Sequence, residues 1–142
     1  MARRASKAEL IARLSCAQSW NGKLNDEERT DMGLFVWMSF DWVKREPCKQ
    51  AVMNIISTCN LTIILANRGY PADYSGEANR ELAVVLTNLK NLIARSKKTG
   101  SWALNGELIR YLPAVLSLHD RQLAEVSRKV MEACVNYVRE NV

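Results

Sequence analysis

The residues able to do chemistry are few and scattered. The four cysteines, Cys16, Cys48, Cys59 and Cys134, include no Cys-x-x-Cys pair, and the single histidine, His119, has no cysteine or histidine at metal-ligand spacing. These spacings predict no metal or other cofactor site. Because cysteine is among the most often buried residue types, we expect free thiols that fill the core. Cys48, close to a predicted helix start, is the one we would test for reactivity.

Local motifs for acid–base or nucleophilic catalysis do not occur either. His119 and Asp120 are adjacent, so on a helix they point in different directions and cannot form a His–Asp dyad through local spacing. The glycine-rich phosphate loop, the Gly-x-Ser-x-Gly elbow and the His-Glu-x-x-His helix are missing from the sequence. The paired carboxylates occupy a polar helix start rather than a desolvated pocket; they are Glu27 with Glu28 and Asp31 with Asp41. We therefore predict a protein that is not an enzyme, with no catalytic residue and with His119 on the surface.

Composition predicts one folded domain. The chain has 142 residues, of which 48% are apolar and 25% charged, as in an average globular protein. We expect a single helical domain over 1–142, with a flexible basic arm at 1–6. Glu9 and Arg13 interrupt the basic N-terminus before a secretory apolar core can develop. The most apolar stretch, 51–66, contains polar residues and is shorter than the roughly 20 residues a bilayer needs, so we expect a cytoplasmic protein with no membrane span.

Capping residues, glycines and prolines divide the chain into five main predicted helices. Ser6 with Glu9 has capping-box spacing, the Asn25 side chain can cap the second helix, and Pro47 is suited to the first turn of a new helix. Pro113 should end a short helical piece, after which Ser117 restarts the last helix. The main predicted helices cover about 7–18, 25–45, 47–67, 76–98 and 118–140, and the short piece covers 106–112.

The segment 60–65, within the third predicted helix, has a composition that also fits a strand. It is rich in β-branched residues, which suit a buried strand. No partner strand is visible elsewhere in the sequence, and one strand cannot satisfy its own backbone hydrogen bonds. We therefore predict a helix and an all-α fold, a compact bundle of about five helices.

The second and third predicted helices are apolar around most of their circumference, whereas the first, fourth and fifth have a single apolar side. One side of the second helix consists of Leu34, Phe35, Met38 and Trp42, and the adjoining side consists of Met32, Val36, Phe40 and Val43. Trp37 extends toward the back. We expect these two helices to form a central hairpin, and one of them to be the central helix.

If one of these two helices is central, the other keeps an apolar side that the rest of the chain does not cover, and a soluble monomer rarely exposes a large apolar patch. We predict a non-enzymatic protein–protein interaction or regulatory module, either a homodimer or bound to another protein. Its predicted contact residues are Trp37, Phe40, Trp42 and Trp102, and Trp37→Glu should yield a folded monomer. In the alternative, the piece 106–112 and the loop around Tyr70 and Tyr74 cover both helices within one chain.

The net charge of +5 indicates a second possible function, that of a nucleic-acid-associated regulator. Its basic residues would belong to the N-terminal arm and to the end of the fourth predicted helix: Arg3, Arg4, Lys7, Lys90, Arg95, Lys97 and Lys98. Each group is small, and no helix-turn-helix, ribbon-helix-helix or zinc-finger pattern fits the spacing of the sequence. Cations at a helix C-terminus also complement the helix dipole, which makes this the weaker hypothesis.

Overall fold

The structure is a computed structural model that describes residues 22–141. This part of the chain contains five helices: α1 (Asp26–Arg45), α2 (Lys49–Asn67), α3 (Gly76–Thr99), α4 (Gly106–Glu125) and α5 (Arg128–Asn141). The predicted all-α bundle is confirmed. The predicted helix at 7–18 lies outside the described residues.

Local capping chemistry begins three of these helices where the sequence predicts. The Asn25 side chain accepts a hydrogen bond from the Glu28 backbone N–H at 2.8 Å, and the Glu28 carboxylate accepts one from the Asn25 N–H at 3.0 Å, which completes a capping box. The Ser75 and Asn105 side chains cap α3 and α4 by accepting from the backbone N–H of Ala78 and Leu108. Gly100 ends α3 with φ of 73°, a left-handed conformation that glycine adopts without steric cost.

Helix α2 is the centre of the bundle. It forms a hairpin with α1 and also packs against α3, α4 and α5, as expected for a helix that is apolar on several sides. Val52, Ile55 and Cys59 are completely buried in it. The segment 60–65 is helical, so the prediction of a helix there is confirmed. The helix begins at Lys49 rather than at Pro47, because Cys48 is still extended.

By length and composition, α2 is also the one described helix that could cross a bilayer. A central core helix has the same composition, because it too is surrounded by apolar groups on several sides. In this bundle the other four helices provide those neighbours.

Pro113 does not end a helix, and the predicted boundary at 112 is wrong. Helix α4 continues through it to Glu125. An interior proline costs about 3 kcal/mol. The helix buries Leu112, Val115 and Leu116 around that point, and each such side chain contributes roughly 1.5–3 kcal/mol on burial. Tertiary packing therefore outweighs the local penalty.

The last predicted helix, 118–140, is also wrong as one element, because its first part belongs to α4 and its second part is α5. The chain is extended at Val126, and Ser127 forms an isolated antiparallel bridge with Lys23. The Arg128 N–H donates to the Gly22 carbonyl at 2.9 Å. The break thus depends on contacts with residues more than a hundred positions away.

After this break, the buried face of α5 shares only Cys134 and Val138 with the apolar stripe that the sequence predicts for this part of one continuous helix, which is Val130, Ala133, Cys134, Tyr137 and Val138. Helix α5 buries Met131, Cys134, Val135 and Val138. Tyr137, which a continuous helix would have placed in the apolar stripe, is 56% exposed.

Candidate functional site

An apolar ridge lies on the outward side of α1. Leu34 and Met38, one helical turn apart, are 54% and 40% exposed. Phe35 and Trp42 flank them, half-buried and packed against the main core. The adjoining side, Met32, Val36, Phe40 and Val43, is buried. The structure therefore distinguishes the two apolar sides of this helix: one fills the core, and the other, which we call the α1 ridge (Leu34, Phe35, Met38 and Trp42), faces outward.

Trp37 lies beside this ridge, and its side chain is hydrogen-bonded to α4. Its indole Nε1–H donates to the Asp120 carboxylate at 2.8 Å, and its ring meets Phe40 edge-on with centroids 6.4 Å apart. Trp37 is half-buried. Its polar group is thus already satisfied within the chain, a contact that spacing along the sequence could not reveal.

Two other predicted contact residues are not part of the ridge. Phe40 is only 5% exposed and lies in the core, with the Lys44 ammonium 4.6 Å from its ring centroid. Trp102 packs half-buried against the same core from the loop between α3 and α4. Of the four predicted aromatic residues, Trp42 is the one that the structure includes in the ridge.

The predicted basic residues of α3 are at the protein surface. Lys90, Lys97 and Lys98 are exposed. The Arg95 guanidinium donates to the Ala103 carbonyl, which ties the end of α3 to the following loop. The other predicted basic residues, Arg3, Arg4 and Lys7, lie outside the described part of the chain.

A buried polar network links α2 and α4, and sequence reasoning missed it. His119, predicted to be a surface residue, is 2% exposed, so that prediction is wrong. Its Nδ1 lies 3.3 Å from the Thr62 hydroxyl and 3.2 Å from the Gln122 amide oxygen. Burial lowers the pKa of His119, although the bond to Gln122 and the charge of Asp120 oppose this. His119 is therefore a neutral core residue.

Gln122 is the hub of this network. It is completely buried, and its amide nitrogen donates to the Thr62 carbonyl and to the Tyr70 carbonyl, each at 2.9 Å. One side chain thereby joins α4 to α2 and to the loop that follows α2. The period of about 3.6 residues in α4 could have placed position 122 near position 119, but only the fold shows that both face the core.

The starts of α1 and α5 are joined by a nearly buried ion pair. The side chains of Glu28 and Arg128 are 11% and 13% exposed and in direct contact. Glu28 at the same time accepts the Asn25 N–H of the capping box. A crevice between α1 and α5 is lined by side chains of these two helices, by side chains of α2 and by His119 of α4.

The cysteines of the described chain are unpaired. Cys59 and Cys134 are buried, as predicted, and burial raises the pKa of Cys59 to about 12, which keeps it a thiol. Cys48, half-buried at the start of α2, makes no side-chain cap. Cys16 lies outside the described residues. Within residues 22–141 no three His, Cys, Asp or Glu side chains converge on a metal-sized site.

The fold and these features define an all-α bundle with an outward apolar ridge and a buried polar hub. Comparison with known protein families, with curated proteins and with solved structures finds no match to this chain.

Proposed function

We propose that this protein is a non-enzymatic, cytoplasmic interaction module that self-associates through the α1 ridge. The observation that supports it is the exposure of Leu34 and Met38 on a helix whose opposite side is buried in the core. Two large apolar side chains one turn apart, flanked by half-buried aromatic rings, resemble the centre of a helix–helix interface. A two-fold pairing of α1 with α1 would cover the same ridge on both chains.

Met38→Glu combined with Leu34→Glu is expected to convert a dimer at micromolar concentration into a folded monomer. The charges would be desolvated only at the interface, because both side chains point away from the core. Sedimentation velocity measures the assembly, and far-UV circular dichroism checks the helicity. Ile109→Glu is the matched control, since Ile109 is 47% exposed on α4 and should leave the dimer intact.

A monomeric unmodified protein at these concentrations would overturn the proposal.

Trp37→Glu is a less useful test than the sequence suggested. It would remove the Trp37–Asp120 hydrogen bond and place a second carboxylate near Asp120, so it would destabilise the monomer as well as any dimer.

The alternative function, nucleic-acid association, depends on the exposed lysines of α3. If it holds, changing Arg3, Arg4, Lys97 and Lys98 together to alanine should abolish binding to mixed-sequence DNA or RNA and leave helicity unchanged. Binding by the unmodified protein should weaken steeply with added salt, because phosphate contacts release counterions. Lys129→Ala, an exposed lysine of α5, is the control. Undetectable binding of the unmodified protein at about 50 mM salt would exclude this function.

A further inference from the structure

The crevice between α1 and α5 has the properties of a small binding site. Its walls are apolar side chains of α1, α2 and α5, and its volume is about 100 Å³. The wall residues are Met32, Phe35, Val36, Leu61, Val135 and Val138. Polar residues also line it, among them His119 and Thr58, and none of its described lining residues carries a charge at neutral pH when His119 is neutral. A charged ligand would therefore be disfavoured.

The hydrogen bonds around His119 determine which ring nitrogen carries the proton. The Gln122 amide nitrogen faces two carbonyls, Thr62 and Tyr70, so the Gln122 oxygen must be the atom next to His119 Nδ1. The Thr62 hydroxyl donates to the Thr58 carbonyl at 2.8 Å, so its oxygen is also left as an acceptor. Both neighbours of Nδ1 accept, and Nδ1 must therefore be the N–H of the neutral ring.

In this tautomer Nε2 has a free lone pair. The two hydrogen bonds of the His119 ring to Thr62 and Gln122 both use Nδ1, and the Thr58 hydroxyl donates to the Asn54 carbonyl at 3.0 Å. Because His119 borders the crevice, a ligand bound there that supplies a donor can form a hydrogen bond to this acceptor.

We propose that this crevice binds a neutral, single-ring aromatic molecule with one hydrogen-bond donor, a phenol, whose ring lies between α1 and α5 and whose hydroxyl donates to His119 Nε2. The size argues for one ring, because a closed apolar cavity of about 150 Å³ in another protein admits benzene and this crevice is somewhat smaller but open on one side. This proposal does not depend on self-association through the α1 ridge. Phe35 belongs to both surfaces, but Leu34 and Met38, the exposed residues of the ridge, do not line the crevice.

Phenol and its methyl ether, anisole, form a matched pair of probes for the full-length protein. Titration followed by ¹H–¹⁵N NMR should show saturable chemical-shift changes for residues at the crevice. The affinity for anisole should be about three- to tenfold lower than that for phenol, because anisole has no hydrogen-bond donor. Long-range ¹H–¹⁵N spectra of His119 should show the Nδ1–H tautomer, and the Nε2 signal should shift when phenol binds. His119→Leu should bring the affinities for phenol and anisole together.

Leu61→Phe narrows the crevice and leaves the polar network unchanged, so it should weaken the binding of both phenol and anisole. This variant remains informative if His119→Leu does not fold. Three results would each overturn the proposal: no saturation by phenol, equal binding of phenol and anisole to the unmodified protein, or an Nε2–H tautomer in the free protein.

Discussion

Replacing Gln122 with leucine is expected to lower the free energy of unfolding by about 2–4 kcal/mol, because each buried polar group left without a partner costs roughly 1–3 kcal/mol. Leucine fills much of the same space, so the loss reports the hydrogen bonds rather than a cavity. The Tyr70 carbonyl loses its Gln122 donor, and His119 Nδ1 loses its Gln122 acceptor. Urea denaturation followed by circular dichroism measures the change.

Ala124→Gln provides the control for this substitution, since Ala124 is exposed on the same helix and a surface change of this kind shifts stability by about 0.5 kcal/mol or less. Gln122→Glu gives a sharper comparison. It keeps the shape but replaces the donor that faces two carbonyls with an acceptor, so it should be more damaging than leucine. An unfolding midpoint for Gln122→Leu equal to that of the unmodified protein would show that Gln122 does not connect α2 with α4.

Acidification below about pH 6.5 should destabilise the protein through His119. Because burial lowers the pKa of His119 in the folded state, the unfolded chain takes up a proton at a higher pH than the folded chain does. Below the unfolded pKa the unfolded state therefore binds more protons, and stability falls as the pH falls until the folded ring is also protonated. Of the charged groups, Asp120 favours the protonated ring and reduces this effect.

The comparison that isolates this effect is the difference in unfolding free energy between about pH 7.5 and about pH 5.5. In His119→Gln, which cannot be protonated, this difference should be smaller than in the unmodified protein. Arg121→Gln, at an exposed position of the same helix, should retain the full difference. Equal pH dependence in His119→Gln and the unmodified protein would mean that His119 does not resist protonation in the fold.

The Gln122 and His119 experiments concern the interior of the protein, whereas the proposed self-association and ligand binding use the surface of α1 and the crevice beside it. His119 connects the two regions, since its Nδ1 belongs to the hub and its ring borders the crevice. A ligand that bonds to Nε2 would hold the ring in its neutral form and should make the folded state more resistant to acid.

The sequence by itself determined the features that depend on neighbouring residues. The capping box of Asn25 and Glu28 begins α1, and Gly100 ends α3, because each acts on backbone groups within one helical turn. The apolar circumference of the α1 and α2 segments was enough to predict their central hairpin. The sequence also identified the two apolar sides of α1, but it did not show which of them the core would cover.

Only the tertiary structure decided the features that depend on distant contacts. Helix α4 continues through Pro113 because its residues on both sides of the proline pack into the core. The helix ends before Arg128 because this part of the chain makes contacts with Gly22, Lys23 and Glu28. His119 is buried with its Nδ1 bonded to Thr62 and Gln122, and the contact with Thr62 spans 57 positions. Local propensities amount to about 1 kcal/mol per residue or less, apart from proline, whereas burying one large side chain contributes more, so packing prevails where the two conflict.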